Sequence, residues 1–133
     1  MKSKKHVEYY KNNDIEYEEW KLSNGDLHRE DGPARIRYYK NGNKCYEQWH
    51  KNGKSRREGG PSFTSWNESG NIICEIWSKA GKMHREEGPA RICYNKNGSV
   101  REVRYWINGE ELTEEEWKIY RLPNTKIKRA LYD

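Results

Sequence analysis

The feature that most constrains this chain is an internal period of 28 residues. Gly32-Pro33, Gly60-Pro61 and Gly88-Pro89 recur at that interval without slippage. Tyr38, Trp66 and Tyr94 keep it, as do Gly42, Gly70 and Gly98 and the pairs Arg29-Glu30, Arg57-Glu58 and Arg85-Glu86. Trp49 and Trp77 also lie 28 apart, with Trp20 and Trp106 each 29 from the nearer of them. Repetition at this length marks an array whose units bury their apolar faces against one another.

Each unit reads as two strands. Residues Ala34 to Lys40 alternate with period 2, which puts Ala34, Ile36 and Tyr38 on one face and the arginines on the other. Ser62, Thr64 and Trp66, then Ala90, Ile92 and Tyr94, are the counterparts. Asn41-Gly42 predicts a type I′ hairpin turn, because such a turn needs positive φ twice. The return strand runs from about Lys44 to His50, and a second Asn-Gly at 52 and 53 opens a longer loop ending in Gly-Pro. Counting back from Trp20 puts Tyr9 in register with Tyr38 and a turn at Asn12-Asn13.

The chain is therefore expected to be a single domain over residues 1–133: a half repeat at 6–20, three β-repeats at 21–109, and a helical cap with a basic tail at 110–133. The fold class is all-β, an antiparallel meander of about seven strands built from the hairpin repeats, with a short C-terminal helical cap. The pattern ends at Asn108-Gly109. Beyond it, Thr113 and Glu116 make a capping box, and Leu112 with Trp117 a hydrophobic staple, for a helix from 114 to about 122 halted by Pro123. Ile127 and Leu131, four apart, add an amphipathic turn.

Composition narrows the function classes. With 32% hydrophobic and 35% charged residues, a thick apolar core is excluded, and six Trp and ten Tyr suit a thin layer with wet faces. The net charge of +5 is spread among 21 acids, with local excess at Lys2, Lys4 and Lys5 and at Lys118, Arg121, Lys126, Lys128 and Arg129. Cys45, Cys74 and Cys93 are odd in number and lack CxxC spacing, so they read as reduced, half-buried strand residues. No apolar leader follows the first lysines, and no run nears the ~18 apolar residues of a membrane span. A cytoplasmic protein is expected.

The most enzyme-like element is His28-Arg29-Glu30-Asp31-Gly32-Pro33, echoed by His84-Arg85-Glu86-Glu87-Gly88-Pro89. Histidine beside carboxylates suits acid–base catalysis or metal ligation. The middle copy, Arg56-Arg57-Glu58-Gly59-Gly60-Pro61, lacks the histidine, which makes the motif scaffold, with Arg and Glu pairing across the loop and Gly-Pro setting the turn. No GxSxG, Walker or GxGxxG sequence occurs. The chain is thus expected to be no enzyme, with no catalytic residue, cofactor or metal.

Positions that depart from the repeat are free to meet a partner. Phe63 replaces an arginine, Trp66 a tyrosine, and Ser55, Arg56 and Gly59 set the middle loop apart. Arg35, Arg37 and Tyr39, with Arg91 and Phe63 at equivalent positions, mix basic and aromatic side chains as single-strand stacking platforms do. The expected partner-binding set is Arg35, Arg37, Tyr39, Arg56, Arg57, Phe63, Trp66 and Arg91.

The segments HREDGPARI and HREEGPARI with their Tyr and Asn-Gly turns resemble small repeat proteins of phages, giant viruses and some low-GC bacteria. That group is similar in style to MORN repeats, consecutive β-hairpins with Tyr, Trp and Asn-Gly turns. The close at Ile107 to Trp117 also resembles the group's usual ending, so the likeness covers about residues 20–117. It implies a protein-binding role. A phage-type setting implies a small inhibitor of a host defence nuclease or its ribonucleoprotein, of the anti-CRISPR kind. The alternative is direct binding of RNA or DNA by the basic-aromatic face. The open edges of a long meander also allow a second copy to pair edge to edge.

Overall fold

A computed structural model describes residues 2–123. The strands are β1 (Lys4–Tyr9), β2 (Ile15–Lys21), β3 (Arg35–Tyr38), β4 (Lys44–Gln48), β5 (His50–Lys51), β6 (Lys54–Ser55), β7 (Phe63–Trp66), β8 (Ile72–Ile76), β9 (Ser78–Lys79), β10 (Lys82–Met83), β11 (Arg91–Tyr94), β12 (Val100–Ile107) and β13 (Glu110–Leu112), followed by helix α1 (Glu114–Tyr120). Nine of them form one antiparallel sheet in the order β1-β2-β3-β4-β7-β8-β11-β12-β13, a meander that follows the chain. The all-β meander is therefore present, with nine main strands where about seven were expected. The ninth, β13, lies beyond Asn108-Gly109, where the sequence pattern ends.

The two Asn-Gly turns do different things. At Asn41-Gly42 only the glycine has positive φ, and Gly42 N–H closes an i to i+3 bond to the Tyr39 carbonyl. This is a three-residue loop ending in a left-handed glycine, not the expected type I′ turn. Its asparagine side chain accepts from the N–H two residues on, at Asn43. Type I′ geometry belongs to the second Asn-Gly, where Asn52 and Gly53 have φ of 51° and 78°. What reads in sequence as the start of a long loop is thus a tight ribbon, β5 with β6. β9 with β10 repeats it.

Four hairpins of the main sheet, β1–β2, β3–β4, β7–β8 and β11–β12, also carry a bulge. Glu16, Cys45, Ile73 and Arg101 are each the extra residue, skipped where the partner strand moves on by one. Bulges raise local twist and coil the sheet. The short ribbons form a second row alongside it, hydrogen-bonded turn to turn: Gly53 N–H to Leu27 O, Gly81 N–H to Ser55 O, and Gly109 N–H to Met83 O, each 2.9–3.0 Å.

Between the two rows sits a thin core. Ala34, Ser62 and Ala90 are buried where the chain leaves each Gly-Pro turn, and Ile36, Thr64, Leu22 and Ile107 are buried as well. Tyr38 donates to Glu18 at 2.6 Å and Tyr94 donates to Glu75 on the same face. Burial and those carboxylates push both phenols up to about 12. Burial opposes ionisation of Glu18, yet bonds from Lys5 and Tyr38 hold its carboxyl below the usual range.

The cysteines require a correction. Cys74 and Cys93 are register partners on β8 and β11, with Cα atoms 4.1 Å apart, and form a disulfide across 19 residues. Cys45 alone is free. Count and spacing miss this because the pairing depends on register between strands from different repeats.

Thr113 caps α1 as expected, accepting from Glu116 N–H while the Glu116 carboxylate accepts from Thr113 N–H. Trp117 is buried against Tyr105, with ring centroids 4.6 Å apart, and donates to the Arg85 carbonyl. The helix thereby closes the end of the array. Ile127, Leu131 and the basic residues Lys126, Lys128 and Arg129 lie outside the described residues. No helix among those described is long and apolar enough to cross a membrane.

Candidate interaction surface

The three Arg-Glu-x-Gly-Pro loops share one internal device. Arg29, Arg57 and Arg85 lay their guanidinium groups over Trp20, Trp49 and Trp77, at 3.9, 4.1 and 3.8 Å from the ring centroids. Each also donates to the carbonyl of the proline four residues on. A Cβ on Gly32, Gly60 or Gly88 would lie 2.8–3.1 Å from the guanidinium carbon, which accounts for the glycine. A partly desolvated cation–π contact is worth about 1–2 kcal/mol. These arginines therefore serve the scaffold, but not through the expected Arg–Glu pairing. The loop glutamate instead meets the first loop residue: His28–Glu30 at 2.8 Å, Arg56–Glu58 at 3.3 Å and His84–Glu86 at 3.7 Å. Alternation puts residues i and i+2 on one side of an extended segment and sends the arginine to the other.

The histidines have a second bond. Asn52 N–H donates to His28 Nδ1 at 2.9 Å, and Asn108 N–H to His84 Nδ1 at 3.0 Å. An accepting Nδ1 leaves the proton on Nε2, which faces the glutamate. The hydrogen bond from His28 holds the Glu30 carboxyl below its usual range. Each flanking loop is thus sealed to the type I′ turn of the ribbon beside it. Among the described residues, no group of three or more His, Cys, Asp or Glu is arranged to hold a metal ion.

The middle loop has no such seal. Arg56 stands where the histidines stand, and a guanidinium has no acceptor to offer. Ala80 takes the asparagine's place and still carries a positive φ of 53°. Backbone bonds join Arg29 N–H to His50 O and Arg85 N–H to Trp106 O, but none joins Arg57 N–H to Ser78 O. A groove of about 630 Å³ opens here, walled by Arg56–Gly60 and His84–Glu87 and floored by Trp77, Ser78 and Lys79. The matching groove beside the first loop is about 270 Å³.

The other residues of the expected set divide. By strand register, Arg35, Arg37, Phe63 and Arg91 share one face of the sheet with Tyr46, whose ring stacks on Phe63 at 5.9 Å. Each of those arginines faces a carboxylate: Arg35 with Glu19, Arg37 with Glu16 and Arg91 with Glu102. Trp66 lies on the opposite face, and Tyr39 donates its hydroxyl to the Trp66 carbonyl. Arg57 is held on Trp49, while Arg56 is exposed at the groove. The arginine-over-tryptophan contact is absent from the sequence reading. Its signal is the constant spacing of Trp49 to Arg57 and Trp77 to Arg85.

No known protein family, curated protein or solved structure matches this chain.

Proposed function

We propose that this chain is a non-catalytic protein-binding module that meets its partner through the middle loop. One observation carries the reading. The groups that look reactive in the flanking loops are engaged in holding loop to ribbon, whereas the middle loop lacks that side-chain seal and borders the larger groove. Concave, unsealed surface with exposed Arg56, Glu58 and Gly59 suits a partner's side chains better than a reaction centre. The first His-Arg-Glu loop supports the same view, since His28, bonded at both ring nitrogens, is poorly placed to exchange protons with a substrate. The resemblance to phage repeat proteins supports a cytoplasmic inhibitor of a host defence nuclease.

Direct binding of RNA or DNA by the Arg35, Arg37, Phe63 and Arg91 face is the second reading, favoured by their shared face. The carboxylate beside each arginine weighs against it. Affinity capture from a host with active defence systems separates the two. A nuclease recovered in equal amount with the chain, and lost with Arg56→Glu, is the expected result. Nucleic acid recovered without protein overturns the protein-binding reading.

A further inference from the structure

The ribbon row carries a charge pattern that the hairpin does not require. At the two positions flanking each ribbon turn the residues are Leu22 and Asp26, Lys51 and Lys54, Lys79 and Lys82, then Ile107 and Glu110. The outer units thus set an apolar residue opposite an acid, and Leu22 and Ile107 are buried. Both inner ribbons place lysine directly opposite lysine. Like charges directly opposite each other destabilise a strand pair. A local rule broken twice, at equivalent places, points to a use outside the fold.

The four ammonium groups are also little neutralised. Lys51 reaches Glu30 at 3.6 Å, while Lys54, Lys79 and Lys82 form no ion pair among the described residues. The stems of Lys54 and Lys82 are steadied by the next ribbon. Lys54 runs across Gly81, where a Cβ would lie 3.6 Å from its Cβ, and Lys82 runs across Gly109, 3.3 Å from its Cδ. A stem laid on backbone holds the charge in place and lowers the entropy lost when it is bound. Lys79 also floors the groove beside Arg56, so the patch and the unsealed middle loop are continuous.

We propose that Lys51, Lys54, Lys79 and Lys82 form a docking strip for an acidic segment of a protein partner. The inference deepens the protein-binding reading and rests on it. A polypeptide is favoured over nucleic acid by two features of the strip. Trp49 and Trp77 each have one ring face taken by Arg57 and Arg85, which leaves less ring for base stacking. Glu58, Glu86 and Glu87 line the walls of the adjoining groove and would repel a continuous phosphate backbone, whereas spaced carboxylates pass between them.

The test titrates the full chain with a synthetic oligo-glutamate peptide and, separately, with a single-stranded oligodeoxynucleotide of the same net charge. The peptide binds, added salt weakens it, and Lys54→Glu with Lys82→Glu lowers its affinity about tenfold or more. The same double variant melts at the parent temperature or above, because it replaces like-charge cross-strand pairs with opposite ones, so lost binding is not lost folding. Peptide binding unchanged in the variant overturns the strip, as does tighter binding of the oligonucleotide. If the variant still captures the parent's nuclease, the strip is overturned and the protein-binding reading stands. If the parent captures no protein, the protein-binding reading fails, and the peptide titration alone decides the strip.

Discussion

The first and middle loops start from nearly the same sequence and end in different states. In the first, His28 joins Glu30 to the turn at Asn52 and Arg29 N–H bonds His50 O, so loop and ribbon are one piece. In the middle, both partners of the seal are changed together: arginine at 56 and alanine at 80. Their backbone course is kept, as the positive φ at Ala80 and the Gly81 N–H bond to Ser55 O show, but the bond from residue 80 N–H to a histidine is gone. Stability has been given up at coupled positions while the shared Arg57 contact over Trp49 survives. The comparison teaches that the scaffold and the variable surface are separable within one loop. A disulfide also brackets the ribbon that faces the middle loop: Cys74 and Cys93 enclose the β9–β10 ribbon and the third loop, whereas the equivalent positions around the β5–β6 ribbon are Tyr46 and Ser65.

That contrast can be broken experimentally, starting with the disulfide. Closing a segment of this length is worth about 3 kcal/mol in the chain-entropy account. Urea unfolding with and without reductant should show such a loss, and hydrogen exchange should place the new opening between 74 and 93. Uniform opening across both ribbons would remove the distinction between the two regions. Next in size is the seal itself. His28→Ala strips the acceptor from Asn52 N–H and should cost about 2 kcal/mol, while Arg56→Ala should stay within about 0.5 kcal/mol, as exposed substitutions do. Equal costs in thermal denaturation would show the middle loop to be sealed after all. The smallest effect is a gain: Ala80→Asn puts a residue tolerant of left-handed backbone at that turn and should stabilise by about 1 kcal/mol. The same change at a position of negative φ would give nothing, so a null result at 80 refutes the strained turn.

Much of the fold was legible. Strand alternation around Ala34, Ile36 and Tyr38, the buried small residues after Gly-Pro, and the Thr113–Glu116 cap are local features, and they appear where the sequence put them. The ribbons were less legible because Asn41-Gly42 and Asn52-Gly53 are the same dipeptide. Strand pairing decides which of them takes positive φ twice: Tyr39 and Asn43 frame a three-residue loop, Lys51 and Lys54 a two-residue turn. Of the candidate interaction residues, the four on the basic face could be grouped by counting. Trp66 could be set on the opposite face in the same way, with Ser62 and Thr64, but Tyr39 could not, since its hydroxyl is spent on the Trp66 carbonyl.

By itself, the sequence determined the repeat, the strand alternation, the turn positions and the capped end, because each depends on residues close in the chain. The tertiary structure alone decided the contacts between one repeat and the next. These are Cys74 with Cys93, His28 with Asn52, and the lysine stems of one ribbon laid on the glycine of the next. The physical reason is register: a slip of one residue reverses every side chain on a strand, so contacts across units exist only once the strands are aligned. The 28-residue period announces that the units stack. Their alignment determines that the middle one stands open.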